Sequence, residues 1–532
     1  MSGQVYHIRT DGNDSNDGKS NSAGGAWKTI AKANTTLTAG QSVFIHAGTY
    51  TDEIVPQRSG SANNYISYAN WPGDAVVVQP GSGRAANLDN KSYIFLMGLG
   101  LQSDATSTAA TRTTNIVNMV GASRSIIAGG YVKEIGAGWR DGNAIRMDNA
   151  SYNQVLRVLV ESTNGGTAKC SDNNAKVCAG LFEGIKMITG SHHNLFDGNT
   201  IAKFKHYAIN SANVNMTASH DNVFRRNLLR NFWHGNYSPY PAQFEIFEQN
   251  SVNLANRDYA STPWPGGNKG GRYGSGTQLG GQGQNDTTGA VIEADPTKNI
   301  VRFNTFAENG KDVWGNGLDN SWVYNNVFYQ NYKQEAYYKA GQTPIEDNRF
   351  INNIVQSSRT KFCLVGSVGL DDNYIFNNIL VAGVGSGGAT GGPLGAGDCV
   401  TSQSLSSLQS TYPSRWKGNI QTAPAFVEAP IYDFHLANGS AGIDAGTFLT
   451  TATSTGSGSA MPVVTTVPFS DGRTVPSYKG DLIMTATGKK TARVTSISGN
   501  TLNLNKSISW TSGEGVHMIF LGAKPDMGAY ER

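Results

Sequence analysis

Charge is scarce in this 532-residue sequence. Asp, Glu, Lys and Arg make up 15% of it, and 42 basic against 39 acidic residues leave a formal net charge of +3. So small an imbalance excludes the basic footprint of a nucleic-acid-binding domain and leaves only a modest attraction to an acidic polymer. Long apolar runs are missing too. None approaches the roughly 20 residues that span a bilayer, so no membrane insertion is expected. The opening stretch MSGQVYHIRTDG lacks the apolar core of a signal peptide, and a secreted protein is expected here in its mature form. There are four cysteines: Cys170 and Cys178 enclose SDNNAKV, and Cys363 and Cys399 flank a Gly-rich stretch. With no CxxC and no histidine pattern beside them, two loop-stapling disulfides are expected rather than a metal centre.

Glycine is abundant, at 64 residues, and hydrophobic residues reach 38%. Together with frequent Asn, Ser and Thr this composition suggests an all-β, turn-rich, extracellular protein. Internal self-similarity sharpens that reading. HNLFDGNTI (193–201), DNVFRRNLL (221–229), KNIVRFNTF (298–306), NSWVYNNVF (320–328), DNRFINNIV (347–355) and DNYIFNNIL (372–380) are copies of one pattern, and AQFEIFEQNSV (242–252) is a weaker one. Aligned on the later asparagine, the register is Asn199, Asn227, Asn250, Asn304, Asn326, Asn353 and Asn378, at spacings of 28, 23, 54, 22, 27 and 25 residues. Short strands separated by Asn/Gly turns at this period are the signature of a parallel β-helix. The long spacing holds a Gly-rich insertion at 261–286.

Each column has a physical role. Three positions before the aligned Asn stand Phe196, Phe224, Phe247, Val301, Val323, Phe350 and Ile375; two after it stand Ile201, Leu229, Val252, Phe306, Phe328, Val355 and Leu380. Both must point inward. Five before it, Asn194, Asn222, Asn299, Asn348 and Asn373 form a second polar column, interrupted by Ser321. Two asparagine columns at turns are best explained as ladders whose amides satisfy turn backbone and one another. Asn325, Asn352 and Asn377, one before the ladder, alternate with Gly198, Arg226 and Phe303 and mark an ordinary tolerant turn position. Asp197, Arg225, Glu248, Arg302 and Tyr324, two before the ladder, are expected as a surface ion-pair column on rungs about 4.8 Å apart.

The segment YHIRTDGNDSNDGKSNSAGGAWKTIAKANTTLTAGQSVFIHAGTYTDEI resembles the opening module of secreted right-handed parallel β-helix proteins, and DFHLANGSAGIDAGT and KPDMGAYER resemble their closing region. That superfamily, pectate-lyase-like, includes many polysaccharide lyases and glycoside hydrolases. The resemblance implies an all-β right-handed parallel β-helix over 1–449 with a cap helix within AWKTIAKANTTL. Short strands such as GDLIMTA and TLNLNKSI predict a small β-barrel or sandwich inserted at 450–519, with 520–532 expected to return as a closing strand. DGNDSNDG at 11–18 lacks the terminal Glu of a Ca²⁺ loop and reads as a turn. No Arg-His-Gly or Gly-His-Gly element marks a particular sugar.

A β-helix buries its interior, so chemistry belongs on an outer face. Inward Ile145, Ile185, Ile209 and Ile292 leave Arg146, Lys186, Asn210, Glu293 and Lys339 as an outward column, with Tyr237 contributed by a rung near HGNYSPY. The loop WPGGNKGGRYG brings Trp264, Arg272 and Tyr273, suited to stacking on sugars and binding carboxylates. For β-elimination on a uronate, Lys186 or Tyr237 is the expected base and Arg146 or Arg272 the carboxylate neutraliser. Glu293 with Asp295 is the expected Ca²⁺ pair in that role. For glycoside hydrolysis, Glu293 and Asp295 are the carboxylates, roughly 6.6 Å apart along the strand. His192, His193, His206, His220 and His234 fall on turns and are expected to be turn residues, with His234, beside the cleft loop, also placed among the substrate-binding residues. The reading is an extracellular or virion-associated lyase acting on polysaccharide as a monomer; the alternatives are a hydrolase and a non-catalytic, trimeric tail-spike-like binder.

Overall fold

In the computed structural model, the residues described are all except 1–2, 82, 104–114, 136–141, 163–182, 205–206, 213–218, 232–234, 241, 254–274, 280–282, 285–290, 293–297, 310, 315–318, 332, 339–345, 357–361, 367–372, 382–383 and 388–400; several strands between 235 and 403 are described by backbone alone. Each repeat folds as one coil of three short strands, and like strands of successive coils pair side by side. Sheet I runs from Ala86–Asn87 to Val384–Gly387 in parallel and closes with Thr401–Gln403 antiparallel. Sheet II has 14 strands from Val5–Ile8 to Trp416–Lys417, and sheet III has 12 from Gly48–Tyr50 to Ile379–Leu380. Parallel strands joined through a crossover are right-handed, so the chain is a right-handed parallel β-helix. No helix among the described residues is long and apolar enough to cross a membrane.

The two inward columns meet in the middle of the coil. Phe196 and Phe224 stack with centroids 4.9 Å apart, and Phe306 and Phe328 at 4.8 Å, their ring planes nearly parallel in both cases. Such pairs add about 0.5–1.5 kcal/mol beyond area burial. Helix Ile30–Thr36, capped by the Thr29 side chain, sends Ile30 and Ala33 into the same core beside Val43. Asp14 of the DGNDSNDG turn accepts from Lys28 N and Thr29 N and holds that cap.

Both asparagine ladders are present. Asn199, Asn227, Asn250, Asn304, Asn326, Asn353 and Asn378 each pass a backbone N–H and a side-chain Nδ2–H to the Oδ1 of the next coil's asparagine, ending on Asn419. The second ladder runs through Asn153, Asn194 and Asn222, and Glu245 replaces an amide between Asn222 and Asn299. Asn326→Ala removes the acceptor for Asn304 N and Nδ2, both at 3.0 Å, and the donor to Val301 O at 2.9 Å. Because these groups are buried, the expected cost is about 2–3 kcal/mol in chemical unfolding, with substrate preference unchanged.

The adjacent column is a docking strip, which corrects the expectation of a tolerant turn. Asn325, Asn352 and Asn377 take left-handed φ of 52°, 56° and 48°, which asparagine tolerates better than most residues. Asn325 Nδ2 donates to Asp526 O at 2.9 Å, Asn352 Nδ2 to Thr447 O at 2.8 Å, and Asn377 Nδ2 to Ala445 O at 3.2 Å. These amides tie the C-terminal chain to the outside of the coil. Residues 520–532 carry no strand, so they close the molecule through these contacts and Met527 packing, not by the expected strand.

Between 450 and 518 lies a six-stranded antiparallel sheet, ordered Thr450–Thr451, Gly515–Met518, Leu482–Thr485, Thr491–Ser498, Thr501–Trp510, Gly456–Pro462. Its apolar residues share one core with Leu195, Val223, Ile246, Ile300 and Trp322 on the outer face of sheet II. The ion-pair column is therefore an interface and not a surface ladder. Arg302, fully buried, gives Nη1 to Asp481 Oδ2 at 2.7 Å, Nη2 to Asp481 Oδ1 and Glu248 Oε2 at 2.6 Å, and hydrogen bonds to the Tyr324 and Tyr478 hydroxyls. Burial opposes its charge, but Asp481, Tyr324 and Glu248 outweigh burial and hold the guanidinium's pKa well above its ordinary value.

Candidate functional site

Strand pairing brings part of the expected outward column together on sheet I. Asn87, Asn118, Arg146, Lys186 and Asn210 stand opposite one another on successive coils. Alternation along each strand explains the placement: Ile145, Met147, Ile185 and Met187 are fully buried, while Arg146 and Lys186 keep 37% and 27% of their side chains exposed. Arg146 Nη2 meets Asp148 Oδ2, two residues along the same face, at 3.0 Å.

Beneath Lys186 lies a carboxylate that reading the sequence missed. Glu183 is fully buried; its Oε2 is 3.6 Å from Lys186 Nζ, and its Oε1 accepts from Asn210 Nδ2 at 2.6 Å. A buried carboxylate needs such partners. The signal was present in EGIK, where the acid stands three residues before the lysine. The amide row extends upstream: Asn115 Nδ2 donates to Asn118 Oδ1, and Asn143 Nδ2 to Asn115 Oδ1, each at 2.8 Å. Among the described residues, Arg146 Nε, Asn143 Oδ1 and Asn210 Oδ1 are buried without a hydrogen-bond partner. This face offers guanidinium and ammonium donors suited to a carboxylate, beside amide oxygens suited to accept from hydroxyls.

Two expectations need correction in register. Tyr237 pairs with inward Ile209, and the position opposite Asn210 belongs to Ser238, so Tyr237 is not in the outward register. Val291–Ile292, the strand expected to lead Glu293 and Asp295 onto the face, pairs antiparallel with Gly283–Gln284 outside sheet I. The coil instead takes its sheet I strand from Ser275–Leu279 within the Gly-rich insertion. Glu293, Asp295, His234, Trp264, Arg272, Tyr273 and Lys339 lie outside the described residues, as do the side chains of all four cysteines and of Tyr237. His192 and His220 are turn residues as expected, their rings parallel at 4.9 Å on neighbouring coils.

Two cavities, of about 410 and 340 Å³, lie away from this face, where sheet II meets the C-terminal sheet, and share Gln249, Phe303, Leu482 and Met518. The second is lined by Arg225, Glu248, Tyr478 and Asp481 and belongs to the docking contact around Arg302.

No protein-family model and no curated protein sequence matches the chain. Among solved structures it is similar to pectate lyase Pel9A, with a TM-score of 0.49 at 12% identity over 100% of this chain and 97% of that one. It is similar also to a rhamnogalacturonan lyase, with a TM-score of 0.41 at 13% identity over 71% and 87%. The Dettilon tailspike protein gives 0.34 at 14% identity over 72% and 62%. The architecture rests on the chain's own three parallel sheets: this is a right-handed parallel β-helix with an antiparallel C-terminal sheet docked on one side.

Proposed function

We propose that the chain is a polysaccharide lyase that cleaves a uronate-containing glycan by β-elimination on the outer face of sheet I. One observation carries this reading: Arg146 and Lys186 are in register on neighbouring coils of a face that holds buried, unpartnered polar atoms. In this reaction a base removes the proton α to the uronate carboxylate. The electron pair forms the new C–C double bond, and the glycosidic oxygen departs. The proton is weakly acidic, so the carboxylate must be neutralised as the base works. Arg146 takes the neutralising role; Lys186 acts as base in its neutral amine form and becomes the ammonium as it takes the proton; Asn118 and Asn210 meet sugar hydroxyls. Glu183 holds Lys186 and Asn210 in place from below.

Hydrolysis needs two carboxyl groups flanking the scissile bond at about 5–9.5 Å. Of the described carboxylates beside the column, Glu183 is fully buried and Asp148 is paired to Arg146, which favours elimination. The Ca²⁺ expected at Glu293 and Asp295 has its donors outside the described residues. The setting we propose is extracellular or virion-associated, with a monomeric enzyme. Incubation with a panel of acidic and neutral polysaccharides tests the reaction. The ultraviolet absorbance of an unsaturated uronate is the expected result; new reducing ends without it indicate hydrolysis, and binding without either indicates a tail-spike-like module.

A further inference from the structure

We infer that His193, His220 and Asp221 form a binding site for a late first-row divalent cation of the Zn²⁺ class, at the turn joining sheets I and II. The repeat itself builds the cluster. His193 and Asp221 occupy the left-handed position, φ 55° and 53°, directly before ladder residues Asn194 and Asn222. His192 and His220 precede them and form a bridge between the two coils. Successive coils therefore stack four side chains in a two-by-two block.

One nitrogen each of His193 and His220 and one Asp221 oxygen lie within 4.8 Å of one another, all on partly exposed side chains. His220 Nδ1 and Asp221 Oδ2 are 2.9 Å apart, in a hydrogen bond that a bound ion would replace. Tetrahedral zinc with bonds of about 2.0–2.1 Å sets its ligand atoms roughly 3.4 Å from each other. Closing the remaining gap takes on the order of 1 Å of side-chain rotation. Two imidazoles and one carboxylate form a nitrogen-rich set that suits zinc-class ions; Ca²⁺ and Mg²⁺ prefer oxygen shells. Three protein ligands leave a position for water.

The surroundings orient the ligands as outer partners of metal sites do. His192 Nδ1 is 2.8 Å from His193 Nδ1, and the His193 ring stacks on Tyr152 at 4.9 Å. Arg473, from the C-terminal region, faces the other Asp221 oxygen, Oδ1, at 3.6 Å and leaves Oδ2 to the cluster. A bound ion would clip two coils together beside the Arg473 contact. None of this depends on the lyase reading.

Titrating the chelator-treated full chain with Zn²⁺ by calorimetry, and with Co²⁺ by visible absorption, tests the site. We expect one equivalent per chain and Co²⁺ bands of nitrogen–oxygen coordination. His193→Gln and His220→Gln should each weaken Zn²⁺ by at least the roughly 10–100-fold that loss of an outer partner costs. His435→Gln, an exposed histidine paired with Asp433, should change nothing. Asp221→Asn serves where a histidine variant does not fold. Absence of binding, or Zn²⁺ affinity unchanged in the folded His193, His220 or Asp221 variants, overturns the proposal.

Discussion

Arg302→Met is expected to lower the unfolding free energy by about 3–5 kcal/mol, the cost of leaving partners of a buried ion pair uncompensated. The reason lies in what remains. Glu248 and Asp481 are buried at the junction of sheet II and the C-terminal sheet, and both converge on this one guanidinium. Removing it leaves Asp481 without its guanidinium and Glu248 with only the longer ion-pair contact to Arg225, at 3.7 Å. Arg302→Lys should recover only part of the loss, because a compact ammonium cannot grip Asp481 with two parallel bonds and reach Glu248 as well. Replacing Arg302, Glu248 and Asp481 together by apolar residues should come much closer to the parent, since no charge is then stranded. Chemical denaturation of the three variants decides the matter. A single Arg302→Met that unfolds within about 0.5 kcal/mol of the parent, as an ordinary surface change does, would show that the contact holds nothing.

Lys186→Ala should reduce turnover on the true uronate polymer by about 10²–10⁴-fold, the usual contribution of a positioned general base. Lys186 also sits 3.6 Å from the fully buried Glu183 carboxylate, so its loss should lower stability as well, and turnover is compared at a temperature where circular dichroism shows the variant folded. Lys186→Arg separates two roles. A guanidinium stays protonated and cannot take a proton, so a base is not rescued while a purely electrostatic cation partly is. Arg146→Ala should act differently, losing rate on the free uronate and little on its methyl ester, where there is no carboxylate charge to neutralise. Full turnover in Lys186→Ala, measured as unsaturated product per unit time on a polymer the parent cleaves, removes sheet I as the active face.

The features that repeat were legible in the sequence, because a coil of fixed shape imposes the same demand on every copy. Asn199 through Asn378 had to occupy the tight turn between sheets II and III, and the Phe and Val columns had to point inward. One apolar column also carried a readable but unread sign. Leu195, Val223, Ile246, Ile300 and Trp322 alternate with inward residues, so those strands are apolar on both faces, and a strand apolar on both faces is covered on both. What covers them could not be deduced from the repeat. The contacts of Asn325 with Asp526 and of Arg302 with Asp481 join positions about 200 residues apart, and no local spacing encodes such a pairing. Register failed for the same reason where the repeat broke. Tyr237 and Ser238 differ by one position, and a one-residue slip turns a strand over; inside the insertion, the pairing of Ser275–Leu279 and not Val291–Ile292 into sheet I was settled by the coil as a whole. The repeat encodes the coil, its ladders and the alternation that turns Arg146 and Lys186 outward. Tertiary structure alone decided which outer face the C-terminal sheet covers and that a buried Glu183 supports Lys186, because those depend on free energies of docking and desolvation between distant segments.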